Sequence, residues 1–131
     1  MRNRLLAAAA MAMFMASSGA LAHHSFSAEF DIGRPVEITG TLTEIEWTNP
    51  HAWLHLEVKN DKGEVEEWSV EMLGVIALVR GGMTPQTVKP GDALTITGFG
   101  ARNGSTTANA SSVKRADTGE MLWNSGREER N

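Results

Sequence analysis

The sequence predicts a mainly β protein, a small antiparallel OB-like Greek-key β-barrel with one short helix between strands 3 and 4. Three observations carry that prediction. Apolar residues alternate with polar ones at period two through most of the chain after Val36. The first alternating stretch is long and slips phase once, as a bent strand serving two sides of a barrel would. Finally, a run of apolar residues at Leu73–Arg80, stopped by Gly81-Gly82, breaks the alternation and reads as a helix of about two turns.

In the first strand the apolar positions are Val36, Ile38 and Leu42, then Ile45 and Trp47, so the slip falls near Thr43 and Glu44. A β-bulge is expected there. Ala52–Lys59 follows with Leu54, Leu56 and Val58 on one face and Trp53, His55, Glu57 and Lys59 on the other. Asn60-Asp61-Lys62-Gly63 supplies a turn into a third strand, Val65–Met72, in which Trp68, Val70 and Met72 share the buried face. After the helix, Lys89-Pro90-Gly91-Asp92 turns the chain into a fourth strand carrying Leu94, Ile96 and Gly98. Asn103-Gly104 marks the next reversal, with a fifth strand at Thr107–Val113 and a short sixth at Glu120–Trp123. Three strands, a helix and two more strands is the order of an OB-like barrel.

Residues 1–22 read as a cleavable Sec-type signal peptide. Arg2 and Arg4 form a positive n-region, Leu5–Ala16 an apolar segment, and Ala20-Leu21-Ala22 an A-x-A cleavage site after Ala22. The apolar run is shorter than the roughly 20 residues a bilayer span requires. A periplasmic or secreted product is expected, with no membrane attachment after cleavage. It is organised as one domain over residues 23–123 and a polar tail over residues 124–131. Ten basic residues then face 16 acidic ones, a net charge of −6. That balance argues against nucleic acid as a partner, since it lacks a basic footprint. With no cysteine, disulfides, thiol chemistry and iron–sulfur clusters are excluded, and the fold rests on its core alone.

Five segments carry a resemblance. His23-His24-Ser25-Phe26 with Phe30-Asp31, Trp47-Thr48-Asn49-Pro50-His51, Trp68-Ser69-Val70-Glu71, Lys89-Pro90-Gly91-Asp92 and the Arg102 segment are similar to a family of small exported bacterial proteins whose domain has no known function. The likeness runs over nearly all of residues 23 to 123 and is specific in its two histidine motifs. It implies an exported, β-rich domain of proteobacterial type, and no activity, ligand or catalytic residue.

The chemistry therefore has to come from the residues, and the four histidines fall in two clusters, His23-His24 and His51 with His55. Cleavage after Ala22 would free the His23 α-amino group, which with the ring Nδ1 chelates one metal ion. A further imidazole completes a nitrogen-rich, tetragonal set of the kind that suits Cu(II). If His51 and His55 both lay on an extended strand, their Cα atoms would stand ~13 Å apart, too far for easy joint ligation. His23, His24 and His51 are therefore the favoured metal ligands, with His55 the alternate. Glu71 and Asp31 rank lower, as carboxylate ligands or as groups that orient a ligand. The plainer reading is a solvated terminus at His23-His24, a turn at Asn49-Pro50-His51 and a half-exposed His55 beside a tryptophan.

Of the tryptophans, Trp47 and Trp68 fall on the core phase, while Trp53 is the candidate for an exposed binding face. Met72, Met83 and Met121 are too scattered for a Cu(I) motif and read as packing. No nucleophile elbow, phosphate loop, H-E-x-x-H or paired-cysteine zinc motif occurs, so no catalytic residue and no cofactor other than copper is assigned. Three functions stand: an exported binding or accessory domain capturing Cu(II), a metal-free module contacting another envelope protein through the first loop and Trp53, and a small copper-dependent redox enzyme.

Overall fold

The computed structural model describes residues 26–126. The predicted leader and cleavage point, His23, His24 and residues 127–131 lie outside them. A short helix, α1, covers residues 26–29. It is followed by β1 (Phe30–Glu46), β2 (Trp53–Lys59), β3 (Val65–Glu71), helix α2 (Val75–Arg80), β4 (Ala93–Ala101), β5 (Thr107–Arg115) and β6 (Met121–Asn124).

The strands form one sheet in the order β3-β2-β1-β4-β5-β6, and a further β3–β5 pairing makes it ring-like. Strand β1 serves two neighbours. Pro35–Thr41 pairs with β4, and Gly40–Glu46 pairs with β2. Closure comes from a parallel pairing of Ser69, Val70 and Glu71 with Thr107, Ala108 and Asn109. A ring closed in the order β1-β2-β3-β5-β4, with a helix between β3 and β4, is the OB-like Greek key the sequence predicts. Strand β6 extends the ring beyond β5.

The predicted phase slip is a bulge. Leu42 pairs with Leu56 and Ile45 with Leu54, and the register shifts between Leu42 and Glu44. The extra residue, Thr43, points its hydroxyl at the His55 carbonyl, to which it donates at 3.0 Å. Several element ends shift against the sequence reading, and two of the differences have a visible cause. Strand β1 begins at Phe30 because Phe30 already opposes Ala101, and irregular register between Phe30 and Pro35 hides that stretch from a periodicity argument. Strand β5 runs on to Arg115 because Val113 and Lys114 pair with β6.

The core fills the ring. Leu42, Leu54, Leu56, Val70, Leu94, Ile96 and Val113 are buried within it, joined by Leu78 of α2, Met72, Met83 and Trp123. Each large apolar side chain so buried contributes about 1.5–3 kcal/mol. Trp47 and Trp68 pack against this core as predicted, and of the three methionines only Met121 is exposed. A second cluster lies outside it, where Phe26 of α1 meets Phe30 and Phe99 at ring-centroid separations of 5.6 and 6.5 Å. These contacts seat α1 on the outer surface of the ring.

Candidate functional site

The link between β1 and β2 holds His51. Thr48 donates its hydroxyl to the His51 carbonyl at 2.8 Å. The Asn49-Pro50 peptide is cis. Asn49 reaches across to α2, where its Oδ1 accepts the Val75 backbone N–H at 3.1 Å. Helix α2 has no side-chain cap of its own at Gly74, so the loop supplies one. Close approach is possible because Gly74 has no Cβ; an added one would sit 2.8 Å from the Pro50 carbonyl oxygen and 2.9 Å from Asn49 Oδ1. Ala52 continues the attachment, donating to the Leu73 carbonyl at 3.2 Å and accepting from Met72 at 2.8 Å.

Mounted in this way, His51 places Nδ1 3.3 Å from Oε1 of Glu71. The two partners are unequally placed, the His51 side chain being 46% exposed and that of Glu71 9%. Asn109, opposite Glu71 in the ring closure, donates to the same Oε1 at 3.4 Å. Burial raises the Glu71 carboxyl above its ordinary range, the neighbouring His51 pulls it back, Glu29 of α1 raises it again, and the Asn109 hydrogen bond lowers it. The influence of Glu29 places α1, and so the first described residues, within electrostatic reach of the His51–Glu71 pair.

His55 is differently placed. Its Nδ1 lies 3.0 Å from Ser69 Oγ and its Nε2 2.8 Å from Glu46 Oε1. Both ring nitrogens are thus occupied within the sheet, and the structure does not bring His55 together with His51. Asp31 is also removed from the pair, accepting the Gly33 N–H at 2.9 Å and lying 3.9 Å from the Arg102 guanidinium. Among the described residues no group of three or more His, Cys, Asp or Glu side chains converges on a metal position. None of their helices is long and apolar enough to cross a membrane.

The Trp-Thr-Asn-Pro-His motif draws attention to His51, but the sequence reading missed Asn49 and Gly74 as the parts that hold it. An Asn directly before Pro, together with a Gly two residues after Met72 at a helix start, is the signal that was available. Asn109 left no such signal, because its role depends on the parallel closure.

Fold and site together define an OB-like β domain with a loop histidine set against a buried glutamate. The chain belongs to the DUF6152 family, a family of unknown function, whose model matches residues 10–110. No curated protein matches the sequence. Among solved structures, the chain is similar to the ZRD-deleted mutant of TiaS in complex with agmatine, at 14% identity and a TM-score of 0.47. That match covers 75% of this chain and 24% of the other, so this chain spans less than two thirds of that protein's length.

Proposed function

We propose that the protein is an exported binding domain of the cell envelope that captures Cu(II) with His51 and the histidines of its processed terminus. The observation that carries this is the 3.3 Å approach of His51 Nδ1 to the buried Glu71. A ligating histidine commonly turns its other ring N–H toward a carboxylate, which sets the tautomer and strengthens the nitrogen left for the metal. The pair has that form, with Nε2 as the ligand atom. His55, whose ring nitrogens already face Ser69 and Glu46, ranks below His51 as the alternate.

Chain reach supports the same reading. His23 is three residues before Phe26, a stretch of chain that can span no more than ~11 Å. Helix α1, which begins there, carries Glu29, whose charge acts on the Glu71 carboxyl. A free His23 amine with its own imidazole, His24 and His51 make the nitrogen-rich set that Cu(II) favours.

The test is a calorimetric and electron paramagnetic resonance titration with Cu(II) near pH 7 of protein beginning at His23, beside protein with one Gly ahead of His23. One equivalent bound with a nitrogen-rich signal, weakened both by the added Gly and by His51→Ala, is the expected result. Equal binding by both forms sinks the proposal.

A second reading, a metal-free module contacting another envelope protein, is favoured by one observation. Leu73, Ile76 and Val79 expose an apolar strip along α2 beside the Asn49-Pro50 loop, with Ile76 64% exposed.

A further inference from the structure

A cavity of about 330 Å³ lies between α1, Trp53 and the β4–β5 loop. We propose that it binds a neutral, hydroxyl-bearing ring compound of mono- to disaccharide size. The cavity adjoins the His51–Glu71 pair, since Trp53 is the register partner of Glu71 and Glu29 acts on its carboxyl, but the proposal does not require a metal there.

The cavity is built and braced. Arg102 donates its backbone N–H to the Glu29 carbonyl at 2.9 Å and its Nε–H to the Ser27 carbonyl at 2.5 Å, tying the loop to α1. The loop is closed within itself by Ser105 N–H on Asn103 Oδ1 at 3.0 Å and Gly104 N–H on the Ala101 carbonyl at 3.1 Å. Thr106 anchors it to β3, donating its hydroxyl to the Glu67 carbonyl at 2.7 Å. The ligand would meet a surface already in place, which keeps the ordering cost of binding low. Its volume is at the small end of the usual range for ligand pockets.

The lining decides the chemistry. Trp53, Phe30, Ala28 and Ala101 give an apolar surface against which a ring's C–H face can pack. Polar groups on the remaining walls are uncommitted. Among the described residues, the Ser105 and Thr107 hydroxyls and the Asn103 amide N–H₂ have no protein partner. The Glu29 carboxylate is paired with no cation there, while the Arg102 guanidinium turns its Nε–H to the Ser27 carbonyl and has its charge matched by Asp31 at 3.9 Å. The walls therefore offer donors and a carboxylate acceptor, most of them facing water, that a ligand can engage. An ammonium ligand would satisfy Glu29 and leave the amide unanswered. An anion would answer the donors but face Glu29 on a protein of net negative charge. A neutral saccharide supplies both kinds of group in its hydroxyls, each a donor and an acceptor.

The experiment uses protein purified after expression of the full reading frame. N-acetylglucosamine, its β-1,4-linked dimer and maltose are titrated against it, with glucose 6-phosphate and putrescine as the anionic and cationic arms. Binding is read by the Trp53 indole and Asn103 side-chain amide resonances and by calorimetry. The expected result is saturable shifts of both resonances with at least one neutral saccharide. Trp53→Ala should weaken that saccharide by about tenfold or more, and Thr107→Val by about fivefold with thermal stability retained. The proposal is overturned if no neutral saccharide moves either resonance, if Trp53→Ala and Thr107→Val both bind it like the unaltered protein, or if only the phosphate or the diamine binds.

Discussion

Asn49 caps a helix that begins 26 residues later in the chain, its Oδ1 accepting the Val75 N–H at 3.1 Å. The bond joins the loop that carries His51 to the helix between β3 and β4, so loop position and helix start are set together. Asn49→Ala should cost about 1 kcal/mol of stability, the usual loss when a helix cap is removed. Gly74→Ala should cost more, because its Cβ would meet the Pro50 carbonyl at 2.8 Å, and backbone there cannot yield as a flexible side chain would. Urea midpoints check both. An Asn49→Ala protein as stable as the original would show that the bond contributes nothing.

Glu71 makes stability depend on pH with a definite sign. Burial raises its carboxyl above the ordinary value of 4.5. The folded protein therefore binds that proton more tightly than the unfolded chain does, and stability falls as pH rises from about the ordinary value through the raised one. In Glu71→Gln this slope should flatten, leaving the variant the more stable of the two at pH 7, with the gap closing below about pH 4. His51→Ala should steepen the slope, since it removes the neighbour that draws the carboxyl down. Urea unfolding between pH 4 and pH 8 measures all three, and an unchanged slope in Glu71→Gln would assign the pH dependence to other groups.

Gly98 tests the ring itself. The register of β4 against β5 shifts between Thr97 and Gly98, and a Cβ there would lie 2.0 Å from the Asn109 carbonyl oxygen and 3.0 Å from the Ala110 Cα. Backbone meets backbone, so Gly98→Ala has to prise the two strands apart. A loss of about 3 kcal/mol is expected, at the upper end for overpacking. Circular dichroism melts of the purified variant measure it. A loss under about 1 kcal/mol would mean the strands are not so close.

These positions show why some of the molecule was legible in its sequence and some was not. Leu42 and Ile45 announce the bulge at Thr43 because burial on one face leaves a period-two record, and the record changes phase where the extra residue sits. Leu54, Leu56 and Val58 place β2 for the same reason. The start of β1 at Phe30 left none, since Ile32 is exposed and the pairing there is irregular. Site residues follow the same division. His51 stands out by residue type, whereas its contact with Glu71 depends on Asn49 reaching Val75, and the Glu71–Asn109 contact on the pairing of β3 with β5. Such long-range contacts leave no local pattern to read.

His55 and His51 should separate cleanly in experiment. His55 bridges three strands, with Ser69 of β3 on one nitrogen and Glu46 of β1 on the other. A half-buried histidine so committed acts as a strut, and recruiting it to a metal would break a 2.8 Å contact with a carboxylate. His55→Ala should therefore lower the urea midpoint by the equivalent of about 1–2 kcal/mol, one or two hydrogen bonds, while leaving Cu(II) affinity within about twofold. His51→Ala should do the reverse, because His51 is 46% exposed and packs little. Paired measurement of stability and Cu(II) affinity in the two variants decides the matter. If His55→Ala abolishes copper binding while His51→Ala does not, the ligand has been assigned to the wrong histidine and the metal site must be sought on the outer face of β2.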